Sequence, residues 1–527
     1  MPSTFSGITL YGAEIQSVAA ALADATSPPA VSNFWPVRED PPPTVQVCNV
    51  TVTYTHPGWA DTIHTWVQLP VSEDWNGRLL GFGGGGWVTG HHGALALPAA
   101  RGFAAVATDG GHSLDQSVDD WALLGGENVN WHLLHDFAAV ALDDAATLGK
   151  EVVRKFYGES PRKSYFNGCS TGGRQGHMLA QRYPDQYDGI LATAAAFNWD
   201  RLLPADYWGF ITMKEIGYYP PPCELAAITA AAIKACDTPD GVEDNITIDD
   251  SACDFDPHSV VGTQITCPDL NNTTITVSAG AARIAAAVWD GPRDDKTGRS
   301  LWHGFSKVAS LVRLYSTQCQ GEDAGSCVPA GFPIPAEYLR VLVSADKRLD
   351  VTSLTWAEYT RLFRLSVNQY ASVLGTSDPD LTSFKRRGGK MITWHGLADE
   401  LIPPGGTREY YERVVALDPA RSGGGEEGDG VDGYYRYFEA PGIEHCAMGE
   451  GWYPGDALDA LIAWVEQGEA PETLYAENAW AVARKPGSRK VHLCKYPKQL
   501  KFLGGDADLA ESWGCEERKG SEEVKEL

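Results

Sequence analysis

The chain has 527 residues, with 42 Lys and Arg against 69 Asp and Glu, a formal net charge of −27. That acid surplus excludes a nucleic-acid partner, because no basic excess exists to release phosphate counterions, and 43% apolar residues exclude a disordered chain. No apolar run approaches the ~20 residues of a membrane span; the longest, such as 225–233, stop well short.

In chain order, residues 45–54 and 62–69 alternate and are β-branched, which predicts strands. Residues 78–82 lead into a glycine run, and 103–108 reads as a short buried strand. Apolar Leu133, Phe137, Val140 and Ala141 predict a helix over 133–156. A strand at 164–167, a helix at 172–183 and a strand at 190–193 come next. This alternation indicates a mostly parallel sheet covered on both faces, an α/β fold. Beyond Phe197 the texture changes to a Tyr-Tyr-Pro-Pro-Pro run at 218–222, cysteine-bearing loops and Ala-rich helices at 225–235 and 279–289. The α/β pattern then resumes with a strand at 390–394, a helix at 407–415, a strand at 434–439 and a helix at 456–466. The simplest division is one α/β core, residues 1–196 and 389–527, interrupted by an insertion at 197–388, roughly 190 residues and within ordinary domain size. The glycine-rich run 422–430 reads as a surface loop.

Eleven cysteines are present, and Cys319 and Cys327 bracket a short polar stretch that reads as a disulfide loop. No Cys-x-x-Cys pair occurs, against structural zinc or a thioredoxin-type motif. Sequons at Asn49, Asn245, Asn271 and Asn272 join the cysteines in favouring an oxidising, secretory route. The odd cysteine count leaves at least one unpaired. Residues 1–30 lack a basic start and carry Glu14 and Asp24, so they are not read as a signal peptide. The expectation is a secreted enzyme, with the secretory lumen (the chain closes on Val-Lys-Glu-Leu, an imperfect retention tail) or an intracellular biosynthetic role as the alternatives.

The sharpest motif is Gly168-Cys169-Ser170-Thr171-Gly172, a Gly-x-Ser-x-Gly between a predicted strand and a predicted helix. Small residues on either side permit the tight turn that presents a serine hydroxyl, and the helix N-terminus favours developing negative charge. A serine nucleophile needs a base and an orienting acid, in this fold coming in the order Ser, acid, His. Asp399 lies in the loop after the 390–394 strand, with Glu400 as rival acid; His445 lies after the 434–439 strand, while His395 precedes the acid and reads as structural. Cys169 precedes the serine and Cys446 comes directly after the histidine, so a Ser170–His445 contact brings them within disulfide range; two separate buried cysteines is the alternative. Thr171 N–H and one glycine of the 81–86 run, Gly84 by preference, are expected to form an oxyanion hole, against a plain flexible turn. Asp237, Asp240 and Asp244, with a glycine between, can wrap one hard cation or form an uncomplexed acidic turn. Cys236–Cys253 would brace that loop and Cys494–Cys515 would bridge the C-terminal region; Cys48, Cys223 and Cys267 stay unassigned.

Together these residues resemble the tannase and feruloyl esterase family of α/β-hydrolases over most of the chain. Carrying the resemblance are 168–176, Thr-Asp-Gly-Gly-His at 108–112, Trp-His-Gly-Leu-Ala-Asp-Glu-Leu-Ile-Pro-Pro at 394–404 and Gly-Ile-Glu-His-Cys at 442–446. It implies a Cys169–Cys446 bridge and a lid inserted before the acid-bearing strand. It also implies a structural calcium held by the side chains of Asp237, Asp240 and Asp244 and the carbonyls of Val242 and Ile246, with no organic cofactor. The implied activity is hydrolysis of esters of aromatic acids such as feruloyl or galloyl esters, free or attached to plant polysaccharide or polyphenol. Lactone or acyl-transfer chemistry with the same triad is the alternative. Phe197 and Trp199 are candidates to face the substrate, and a homodimer is an open possibility.

Overall fold

The computed structural model describes residues 2–26, 44–71, 73–125, 127–418, 430–478 and 489–518. Strands β1 (Glu14–Thr26), β2 (Thr44–Thr55), β3 (Ile63–Pro70), β4 (Arg78–Phe82), β5 (Ala104–Thr108), β6 (Lys163–Cys169), β7 (Gly189–Thr193), β8 (Lys390–Gly396) and β9 (Tyr435–Ala440) form one sheet. Their order is β1-β2-β3-β5-β4-β6-β7-β8-β9. From β5 to β9 all neighbours are parallel, whereas β1, β2 and β3 pair antiparallel. Parallel strands bury both faces and read as continuous apolar runs; β5 and β7 are buried at every position.

Helices α1 (Ala141–Tyr157), α2 (Thr171–Arg182), α3 (Pro404–Leu417) and α4 (Ala457–Gln467) cover the sheet. The two-residue repeat of a strand sends alternate side chains to opposite faces. Tyr165, Leu191 and Ile392 thus join Leu461 and Trp464 of α4, while Phe166, Ile190 and Met391 join Leu179 of α2 and Tyr410 of α3.

The predicted strands and helices agree with this framework to within a few residues, with one break. The helix expected over 133–156 is a short α turn (Trp131–His135), a wide π turn (Asp136–Val140) and then α1. A π turn adds a residue to the helical repeat and rotates the later turns about the axis. Here it buries Asp136 against His56 and Asp61 while Phe137 packs against Trp87 and Trp199. Strand β1 has no counterpart among the predicted strands; it is an edge strand with a mostly exposed side-chain pattern, so no apolar alternation announces it.

Residues 194–389 connect β7 to β8 and hold the helices Trp199–Asp206, Trp208–Ile216, Pro222–Asp237, Ala279–Asp290 and Trp356–Tyr370. Their apolar side chains form one cluster with Val118, Trp121, Leu134, Phe137 and Met178 before the insertion and Leu401 and Ile402 after it. The insertion is seated on the core rather than built around a separate interior.

Five disulfides form: Cys169–Cys446, Cys236–Cys253, Cys319–Cys327 and Cys494–Cys515 as expected, and Cys223–Cys267 in addition. Cys48 is free and buried. Asn245, Asn271 and Asn272 are exposed in turns. Asn49 is half-buried: it lies in β2, paired on both sides, and its amide oxygen accepts a hydrogen bond from His92 at 2.9 Å. Residues 422–429 and 524–527, where the sequence suggests a loop and a retention tail, lie outside the described residues. No described helix is long and apolar enough to cross a membrane.

Candidate active site

Strand β6 ends at Cys169 and α2 begins at Thr171, leaving Ser170 at the turn with φ 63° and ψ −123°. A non-glycine residue at positive φ is strained by ~1–3 kcal/mol and persists only where its surroundings enforce it. Here the Ser170 N–H donates to Thr193 O at 3.1 Å, and the Ser170 carbonyl accepts from Arg174 and Ala196 at 3.0 and 3.1 Å. Flanking glycines make the turn possible. A Cβ at Gly168 would lie 2.5 Å from the Gly172 backbone, and one at Gly172 would lie 3.0 Å from Gly84 O.

Asp399, three residues beyond the end of β8, is fully buried. One carboxylate oxygen accepts the N–H groups of Leu401 and Ile402 at 2.9 and 2.8 Å. The other accepts from His445 Nδ1 at 2.9 Å and from His395 Nε2 at 3.1 Å. Burial alone would raise this carboxyl's pKa, but the adjacent His445 and the hydrogen bonds from both His445 and His395 hold it far below the usual carboxylate range. His395 Nε2 also faces the Ile402 carbonyl, so that nitrogen carries the proton and Nδ1 accepts from Thr407 at 2.8 Å. His395 is therefore a brace for Asp399.

The His445 ring presents Nδ1–H to both Asp399 oxygens, which leaves Nε2 as its basic nitrogen. Burial pulls the imidazole pKa down, and the adjacent Asp399 charge and hydrogen bond outweigh that and raise it. Glu400, the rival acid, instead accepts the His445 backbone N–H at 2.9 Å and pairs with Arg313; it anchors the loop, not the ring. The Cys169–Cys446 disulfide, with a Cα separation of 5.8 Å, ties this loop to the serine turn.

The glycine run after β4 arches over the serine turn. The expectation for Gly84 needs correction, because its N–H donates to Gln175 Oε1 at 3.1 Å and is already committed. Gly83 N–H donates to Asn167 O and Gly85 N–H to Val88 O. Among the described residues no protein acceptor takes the Gly86 N–H. Gly86 lies at φ 56°, lines the cavity above Ser170, and its carbonyl accepts from the Thr171 hydroxyl at 2.7 Å. His112 of the Thr-Asp-Gly-Gly-His segment bonds the Trp87 carbonyl at 2.7 Å and fixes the next peptide.

Ser170, Thr171, Gly86 and His445 open onto one cavity of about 410 Å³, within the range of small-ligand sites. Its walls are largely apolar, with Leu114, Leu202, Leu203, Phe332, Ile334 and Ile402 among them. Trp199 lines it as expected; Phe197 does not, and stacks on Tyr410 with ring centres 4.4 Å apart. Two charged residues on the wall, Asp206 and Arg313, are absent from the sequence-based candidates. Both come from the insertion, and nothing local in the sequence marks either.

In the loop of the implied cation, Asp237 Oδ1 accepts the N–H groups of Asp244 and Ile246, each at 3.1 Å. Asp240 and Asp244 accept from Val242 and Ile246 at 3.0 Å. Burial and the neighbouring Asp237 charge push Asp240 up to about 6. Among the described residues no donor reaches the carbonyls of Val242 or Ile246, while Arg489 pairs with Asp244. The three carboxylates thus answer backbone N–H groups and Arg489 and are not gathered around one point, so a hard cation there would have to draw them together with the two open carbonyls.

A sheet of this order, with the serine turn after β6, the acid after β8 and the histidine after β9, defines an α/β-hydrolase. The family model described as tannase and feruloyl esterase matches residues 48–516, and the chain belongs to that family, a carboxylic ester hydrolase. It is 38% identical to a probable feruloyl esterase of Arthroderma benhamiae, over 93% of this chain and 89% of that protein. It is 28% identical to the tannase of Aspergillus oryzae, over 88% and 84%. The structure of tannin acyl hydrolase from Aspergillus niger superposes with a TM-score of 0.88 at 27% identity, covering 100% of this chain and 96% of that one.

Proposed function

We propose that the protein hydrolyses esters of phenolic acids through a Ser170–His445–Asp399 triad and an acyl-enzyme intermediate. The observation that carries this is one apolar cavity into which the strained Ser170 and the Asp399-bound His445 both open. His445 Nε2 removes the Ser170 proton as Oγ attacks the ester carbonyl. Asp399 keeps the proton on Nδ1 and stabilises the imidazolium. The Thr171 and Gly86 N–H groups receive the oxyanion, where a single donor is worth ~10²–10³ in kcat. The imidazolium then protonates the leaving alcohol, and water, activated by the same nitrogen, releases the acid and restores the serine. Relatives named for feruloyl esters and for tannin support an aromatic acyl group, and the apolar walls suit its ring. Residues 197–388 serve as the lid that excludes water from this chemistry.

The test is acid release from methyl ferulate, methyl gallate and a simple aryl acetate by wild type and Ser170→Ala. Loss of hydrolysis in the variant is expected. Undiminished hydrolysis would overturn the serine mechanism, and turnover of the acetate alone would overturn the phenolic substrate.

The same reading includes a structural calcium in the Asp237/Asp240/Asp244 loop, with the Val242 and Ile246 carbonyls completing the oxygen set. It would cross-link the loop and contribute no step to ester cleavage.

A further inference from the structure

Two polar groups of the cavity wall are buried without a partner among the described residues, the Trp199 indole N–H and the Asp206 carboxyl, and Asp206 is the ionisable one. It is the last residue of the helix Trp199–Asp206, only 4% exposed, and lies on the cavity wall. Its Oδ1 is buried without a hydrogen-bond partner, and among the described residues neither carboxyl oxygen receives a donor. Arg313, the cation on the same wall, is held by Glu400 instead. Burial, reinforced by the Asp399 charge, raises the Asp206 pKa well above the ordinary value and so favours the protonated form.

In its protonated form such a carboxyl offers one O–H donor and a carbonyl acceptor, and in its ionised form acceptors alone. Leaving such a group unpaired costs about 1–3 kcal/mol. An alkyl or unsubstituted aryl group brought into the cavity would strip water from it and give nothing back. A carboxylate would answer only its donor and would bring a second negative charge towards Asp399. A hydroxyl donates and accepts, and matches both halves of the group.

We infer that Asp206 is a specificity-determining substrate contact, which recognises a ring hydroxyl on the acyl group and so makes the cavity selective for hydroxylated over plain aryl esters. This rests on the phenolic-ester reading above and assigns it a residue. It is the arrangement in which a site built to bond a hydroxyl rejects the analogue that lacks one.

The experiment compares kcat/KM for methyl 4-hydroxycinnamate and methyl cinnamate, which differ by that hydroxyl alone. Wild type is expected to favour the hydroxylated ester by about 10- to 100-fold, the ratio equivalent to one buried hydrogen bond made or missing. In Asp206→Leu the ratio should collapse towards one, with methyl cinnamate improved relative to its partner. Asp206→Ala, which leaves room for water, should show the same collapse if the Leu variant does not accumulate. Fluorophosphonate labelling of Ser170 in each variant confirms that the triad is intact. A wild-type preference that survives both substitutions would overturn the role of Asp206 and leave the phenolic-ester reading standing. No wild-type preference would overturn the selectivity itself, and cleavage of neither ester alongside an active aryl acetate would remove the phenolic reading with it.

Discussion

The floor and the roof of the cavity treat a buried carboxyl in opposite ways. On the floor, built from the strand ends, Asp399 receives four donors and is held ionised. On the roof, built from the insertion, Asp206 receives none and its pKa is pushed well up. Both are buried, so burial alone does not set the direction of the shift; the donors and charges that oppose it at Asp399 are missing at Asp206. The floor is complete before any substrate arrives, as preorganised catalysis requires. The roof is complete only when a ligand supplies the missing partner.

The largest break in this comparison comes from the floor. Asp399→Asn keeps the shape but presents an amide N–H₂ that cannot serve both His445 Nδ1–H and His395 Nε2–H, so the imidazole loses its working tautomer. The expected outcome is a fall in kcat of about 10⁴-fold with the fold retained, measured on an aryl ester beside a thermal melt. A fall below tenfold would mean that another group, Glu400 first, serves as the acid.

A smaller effect is expected from the insertion's own scaffold. Removing a bound divalent ion with EGTA should lower the melting temperature, because an ion that binds only the folded state stabilises it by mass action. Asp240→Asn should lower the temperature in the same direction and blunt the EGTA effect. Calcium absent by elemental analysis together with an unchanged melting temperature would remove the ion from the loop, and the pairing of Asp244 with Arg489 would then hold it.

The two regions also differ in how far they can be read from the sequence. The floor is legible because its constraints are local: Gly168 and Gly172 must be glycine where backbones nearly touch, and the cysteines beside Ser170 and His445 mark two loops that meet. Even there, hydrogen bonding decides what motif cannot. Gly84 and Gly86 are equivalent in the glycine run, and only the Gln175 contact to Gly84 separates them. Glu400 and Asp399 are adjacent, and only the fold shows which one the ring faces. The roof is illegible because Asp206 and Arg313 reach the cavity from segments more than 100 positions apart, with no shared motif.

The smallest effect joins the regions at His445. Its pKa lies above the ordinary imidazole value of 6.5, because the Asp399 charge and hydrogen bond outweigh burial. The base acts only when neutral, so kcat/KM should fall as pH drops through a value above 6.5, not at or below it. Glu400 from the floor raises that pKa further and Arg313 from the roof lowers it. Glu400→Gln, which keeps an acceptor for the His445 N–H, should therefore move the acid limb to lower pH, and Arg313→Gln should move it to higher pH. The pH profile of kcat/KM on an uncharged ester reads both shifts. Opposite shifts would show that the roof tunes the base as well as shaping the substrate pocket. An unmoved limb in Arg313→Gln would confine the roof to recognition and leave the titration of His445 to the floor alone.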